Sequence, residues 1–143
     1  MRKVILIKYG ELTTKKDNRN FFINKLKNNI FDKISDYSFE IQDDYYRMFI
    51  IPNEEDIDGI VNILKNIFGI HEIVVAYMSE VVTEEDILKC SLEVMKMEEF
   101  NTFKVVTNRS DKKFPIKSMD MNNIVGEHIL KNIDCKVDVH NPD

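Results

Sequence analysis

The sequence predicts an α+β protein, a ferredoxin-like domain over residues 1–80 followed by a smaller α/β domain over residues 81–143, on three observations. Through Met78, short runs rich in β-branched residues alternate with helical apolar stripes in the order strand, helix, strand, strand, helix, strand. That order is the split βαβ arrangement. After Met78 the pattern restarts with a helix instead of a further strand. The chain has 143 residues, 43% hydrophobic and 31% charged, which suits a folded core and leaves room for one ordinary domain or two very small ones.

Each element has a local reason. Lys3 to Tyr9 is a continuous apolar run with charged ends, which fits a central strand, and Gly10 ends it. Asp17 or Asn18 can cap a helix that carries Phe22, Leu26, Ile30 and Ile34 as one inward stripe. Tyr37 to Gln42 and Tyr45 to Ile51 flank Asp43-Asp44 as a hairpin, closed by Pro52. Glu54, Glu55 and Asp56 put negative charge at the start of a second helix, where the macrodipole favours it. Ile57, Ile60, Val61, Leu64 and Phe68 follow at helical spacing, and Gly69 is a natural stop. Glu72 to Met78 is the fourth strand.

In the second part, Thr83 caps a helix that opens Glu84-Glu85-Asp86 and buries Ile87, Leu88, Val94 and Met95. Thr102 to Thr107 is a strand, and Asn108 to Lys117 is a basic loop containing Pro115. Ser118 caps a helix with Met121, Val125, Ile129 and Ile133 on one face, and Cys135 to Val139 alternates as a last strand. Two helices over so small a sheet, ending in the turn residues Asn141-Pro142-Asp143, read as a domain that continues past this sequence.

Charge is placed unevenly. The formal charge is -5, but Met1 to Lys33 holds nine basic and three acidic residues, whereas Ile34 to Phe100 holds four basic and sixteen acidic. From Arg109 to Lys117, four cations face only Asp111, a local +3 that can draw a phosphate backbone to an otherwise anionic chain. No apolar run approaches the ~20 residues of a membrane helix, and the start lacks a signal-peptide core, so a cytoplasmic location is expected. Cys90 and Cys135 form no C-x-x-C pair, and His71, His128 and His140 are scattered. The expectation is buried, inert thiols, no catalytic residues and no metal site. The four glycines, Gly10, Gly59, Gly69 and Gly126, are too far apart to cradle phosphates.

Two stretches resemble a known family. Ile7-Lys8-Tyr9-Gly10-Glu11-Leu12, followed by Asn18-Arg19 and Phe21-Phe22, is similar to the opening of the ThiI family of tRNA 4-thiouridine synthases. Phe103 to Asp143 is similar to that family's THUMP domain, an RNA-binding module shared with several tRNA-modifying enzymes. The sequence departs from the family pattern after Leu12, where Thr14-Lys15-Lys16-Asp17 replaces a usual Lys-Gly pair.

The resemblance implies the tRNA-binding portion of a tRNA uracil 4-sulfurtransferase. It implies a parent enzyme that uses ATP and Mg with a persulfide sulfur donor, forms a homodimer, receives sulfur from a cysteine desulfurase and is connected with thiamine synthesis. No cofactor is expected in this chain, which without a catalytic domain is expected to be inactive, and no membrane partner is expected. Arg109, Lys112, Lys113 and Lys117 are the candidate phosphate contacts, just ahead of a helix amino terminus that attracts anions. Phe114 is a candidate stacking surface or a core plug, and Lys15, Lys16 and Arg19 form a second cluster. Two other readings stay open: a ferredoxin-like module that binds a protein or small effector without RNA, and the THUMP module of a different tRNA-modifying enzyme.

Overall fold

The computed structural model describes residues 1–9, 18–44, 46–81 and 83–143. The expected stop at Gly10, cap at Asp17 and strand start at Tyr45 lie outside them. The chain divides into two compact units, Met1–Met78 and Ser79–Asp143.

The first unit is a four-stranded sheet in the order β2-β3-β1-β4, with every neighbouring pair antiparallel. The strands are β1 (Arg2–Tyr9), β2 (Phe39–Asp43), β3 (Arg47–Pro52) and β4 (Ile70–Met78), with helices α1 (Arg19–Lys33) and α2 (Ile57–Leu64) between them. β1 lies inside the sheet because its Val4 to Ile7 run suits a strand paired on both edges: Ile5 is opposite Ile50 on one side and Val75 on the other. Ile5 and Ile7 of β1 and Met48 and Ile50 of β3 point to one face. There they meet Leu26, Ile30 and Ile34 from α1 and Ile57, Ile60 and Leu64 from α2, which makes the core.

The buried residues of α1 are Ile23, Leu26 and Ile30, so the inward stripe begins at Ile23, and Phe22 is only half-buried. Glu54–Asp56 forms a single 3-10 turn before α2. α2 then ends at Leu64, a turn short of the expected stripe, and two i to i-3 backbone bonds, from Asn66 to Ile63 and from Ile67 to Leu64, tighten the exit. Phe68 is therefore 83% exposed, not part of the core. Gly69 takes φ +97°, a conformation that a side chain disfavours, and turns the chain into β4.

The second unit contains α3 (Glu84–Lys96), β5 (Thr102–Phe103), α4 (Ser118–Asn132) and β6 (Lys136–Val137). Thr83 closes a full capping box on α3: its hydroxyl accepts the Asp86 N–H at 3.2 Å and the Asp86 carboxylate accepts the Thr83 N–H at 3.0 Å. β5 and β6 are parallel, and α4 is the crossover between them. Phe103, Met121, Val125 and Ile129 form the core, with Ile87, Leu88, Met95 and Ile133 packed against it. Lys117, in extended conformation, is the N-cap of α4, and Ser118 is already helical.

Both strands of this unit are two residues long, much shorter than the expected Thr102 to Thr107 and Cys135 to Val139. The ladder stops because Asp138 turns the chain: its N–H reaches the Phe103 carbonyl, while its carboxylate accepts the N–H groups of His140 and Asn141, each at 3.0 Å. Asp143 then returns to β5, accepting the N–H groups of Asn101 at 2.7 Å and Thr102 at 3.1 Å.

The bonds from Asn141 and His140 hold the Asp138 carboxyl below the usual aspartate range, and those from Asn101 and Thr102 do the same for Asp143. A carboxyl whose pKa is lower in the folded than in the unfolded chain stabilises the fold above the unfolded value, and that contribution is lost as pH falls through the folded one. Asp138→Asn, which mimics the protonated side chain, is therefore expected to be less stable than the parent at pH 7. Urea midpoints of the two should converge as pH drops below about 3.9. A gap unchanged across that range would contradict the role given to the charge.

Candidate nucleic-acid interface

The segment from Lys104 to Lys117 links β5 to α4 and is anchored from within. Phe114 and Ile116 pack against the core of the second unit. Between them and β5, the Arg109 guanidinium turns back along the loop and donates to the Phe114 carbonyl at 2.9 Å and the Ile116 carbonyl at 3.4 Å. The Asp111 carboxylate accepts the Lys113 N–H at 3.0 Å, and the Asp111 carbonyl accepts the Phe114 N–H at 3.2 Å. These bonds close a tight turn whose tip is Lys112-Lys113.

The anchoring sorts the candidate residues. Lys112, Lys113 and Lys117 are exposed, and none of the four ion pairs among the described residues involves them. Asp111, the acidic residue between Arg109 and Lys117, directs its carboxylate at backbone N–H. Arg109 is half-buried and braces the loop through one nitrogen, and Phe114 is held by the core. Lys117 precedes α4, whose first-turn N–H groups receive no hydrogen bond from the N-cap side chain. Asp120 contributes a carboxylate within that turn.

The cluster expected in the first unit is different in kind. Lys15 and Lys16 lie outside the described residues. The Arg19 guanidinium lies 5.9 Å from the ring centres of both Tyr9 and Tyr46. Tyr9 donates its phenol to the Asp44 carbonyl at 3.3 Å. Burial, then the charges of Asp43 and Asp44, push its pKa up to about 12 against the opposing pull of Arg19. Sequence spacing holds no sign of this aromatic pair, because Tyr9 ends β1 and Tyr46 lies just before β3, far apart along the chain and brought to Arg19 only by the sheet.

The cysteines are hydrogen-bonded thiols. Cys90 donates to the Ser79 hydroxyl at 3.4 Å and Cys135 to the Ile133 carbonyl at 3.4 Å. Burial, and then Asp134, push the Cys135 thiol up, away from the reactive thiolate. Among the described residues, no group of three or more His, Cys, Asp or Glu is arranged to hold a metal ion, and no helix is long and apolar enough to cross a membrane.

An antiparallel β2-β3-β1-β4 sheet with two helices is a ferredoxin-like fold, and a small βαβ unit with a lysine-tipped loop follows it. The sequence profile of the ThiI ferredoxin-like domain matches residues 4–74 and that of the THUMP domain matches residues 81–143. A probable tRNA sulfurtransferase of Thermoanaerobacter pseudethanolicus is 43% identical over 145 residues, spanning 100% of this chain and 38% of the relative. One from Clostridium perfringens is 38% identical over 147 residues, spanning 100% and 37%. The crystal structure of PH1313 from Pyrococcus horikoshii Ot3 superposes with a TM-score of 0.83 at 30% identity, over 98% of this chain and 48% of that one. A crystal structure of a 4-thiouridine synthetase–RNA complex with bound ATP superposes with a TM-score of 0.76 at 28% identity, over 100% and 37%. The chain belongs to the ThiI family and carries its ferredoxin-like and THUMP domains. It spans well under half the length of the curated relatives it matches.

The loop geometry separates brace from display. Replacing Arg109 by Leu removes a charged donor from two carbonyls and is expected to lower stability by about 1.5–3 kcal/mol. Lys112→Ala should stay within about 0.5 kcal/mol of the parent. Chemical denaturation of both variants checks this, and equal effects would show that Arg109 is not the brace.

Proposed function

We propose that this chain is the tRNA-binding portion of a tRNA 4-thiouridine synthase, positioning tRNA for ATP-dependent thiolation by a catalytic domain outside these 143 residues. The observation that carries the reading is the anchored loop of the THUMP unit, which displays Lys112, Lys113 and Lys117 while its one acidic residue, Asp111, spends its carboxylate on the Lys113 N–H. Its likeness, over the whole chain, to a 4-thiouridine synthetase solved with RNA supports the same reading. Phosphate contacts act over a Debye length of ~8 Å at physiological salt, so a local cluster outweighs acidic residues further off. Such contacts fix the register of the RNA without reading bases.

The parent enzyme, on this reading, uses ATP and Mg, takes sulfur from a persulfide delivered by a cysteine desulfurase, and acts as a homodimer. The residues described here do not fit the nucleotide's phosphates. Gly59 and Gly126 sit within α2 and α4, and Gly69 turns the chain into β4 beside Leu26, so none of these three belongs to a glycine-rich phosphate loop. On this reading the catalytic domain binds the nucleotide. The Arg109-to-Lys117 loop acts on tRNA alone, with Arg109 and Phe114 shaping it and the three lysines touching phosphate.

The chain should bind tRNA weakly at low salt. With three or four phosphates neutralised, log affinity should fall against log salt with a slope of about -2 to -4. Reversing Lys112 and Lys113 to Glu should weaken binding across tRNA sequences and flatten the slope. Reversing the exposed Lys65 and Lys96 should do much less. Anisotropy titration measures both. Absence of binding at low salt, or equal effects of the two pairs, would replace the RNA reading by that of a protein-binding module.

A further inference from the structure

Where β1 ends and the β2–β3 hairpin turns back, aromatic and charged side chains of the first unit are built around Arg19. Its guanidinium stands 5.9 Å from the ring centre of Tyr9 and 5.9 Å from that of Tyr46, within the range at which a cation is drawn to a ring face. The two rings differ in environment. Tyr9 packs against the core and is tied through its hydroxyl to the Asp44 carbonyl. Tyr46 is 74% exposed.

The backbone at Tyr46 is fixed. The Asp44 carboxylate accepts the N–H of Tyr46 at 2.8 Å and that of Arg47 at 3.0 Å, and pairs with the Arg47 side chain at 3.3 Å. Asp43, one residue before, pairs with Lys27 at 2.8 Å. Asp43 and Asp44 offset two of the three cations Arg19, Lys27 and Arg47, so a phosphate would gain little here for the solvation it gives up. A flat, uncharged, polarisable group incurs no such penalty, and an aromatic ring held outside by a guanidinium is what such a group requires.

We infer that Tyr46, braced by Arg19 over Tyr9, is a stacking platform for an unpaired nucleobase of the bound RNA. The inference rests on the RNA-binding reading above and adds a contact of a different kind. The lysine loop holds phosphate, whereas Tyr46 selects nucleotides whose bases are free to leave the stack, because a base inside a duplex presents no open face. Arg19 is then a positioning residue and not a phosphate contact.

The chain has no tryptophan, so Tyr46→Trp introduces a single reporter. In the 143-residue chain its fluorescence should be quenched by hexaadenylate in step with binding, and not by a blunt RNA duplex at equal saturation. Tyr46→Ala should weaken hexaadenylate binding roughly 5- to 100-fold, the effect of losing one stacked base, and leave duplex binding unchanged. It should also leave the salt slope unchanged, because stacking displaces no counterions, whereas the Lys112 and Lys113 reversals flatten it. An unquenched tryptophan at saturation, or a Tyr46→Ala variant that binds hexaadenylate like the parent, would overturn the platform while tRNA binding persists. A parent chain that binds neither tRNA nor oligonucleotide would remove the RNA-binding reading and the platform with it.

Discussion

Lysines that present their charge to a partner must stay in solvent, while the backbone that carries them must be held still. In this chain the constraint is met by Phe114 and Ile116, which fix one end of the loop in the core of the second unit, and by Arg109, which ties their carbonyls together. Lys112 and Lys113 sit at the tip of the resulting turn, and Lys117 stands at the start of α4. A cation close to Lys112, Lys113 and Lys117 adds to their repulsion unless it is drawn inward, and Arg109 is drawn inward by two carbonyls. The same residue thus strengthens the loop and removes itself from the display.

The acidic character of the chain has a similar explanation. Asp86 completes the capping box of α3, Asp44 closes the β2–β3 turn, Asp138 closes the turn after β6, and Asp143 ties that segment to β5. These carboxylates face backbone N–H groups, where they satisfy donors that secondary structure leaves unpaired. A net charge of -5 counts such carboxylates in full and so says little about which surface meets a polyanion.

Much of the architecture was legible because local chemistry and periodicity agree. The β-branched run of β1, the Thr83 cap and the stripe Met121, Val125 and Ile129 on α4 each act within a few residues, and each appears in the fold. What was not legible depends on distant partners. Phe68 continues the spacing of Ile57, Ile60 and Leu64, yet α2 ends first, since Gly69 must redirect the chain. β5 and β6 are short because Asp138 turns away, a choice made by its own carboxylate. At the candidate interface, the basic spacing from Arg109 to Lys117 marked the loop but could not separate brace from display. The Tyr9–Arg19–Tyr46 cluster joins the end of β1, the start of α1 and the residue before β3, which no short window of sequence contains.

On the proposed function, RNA meets this chain at the anchored loop. The most direct measurement is an amide chemical-shift map of the isotope-labelled chain titrated with tRNA at low salt. The largest changes are expected on Arg109 to Lys117 and the first turn of α4, fading as salt rises. Changes confined to the acidic stretch from Ile34 to Phe100, or insensitive to salt, would contradict that reading.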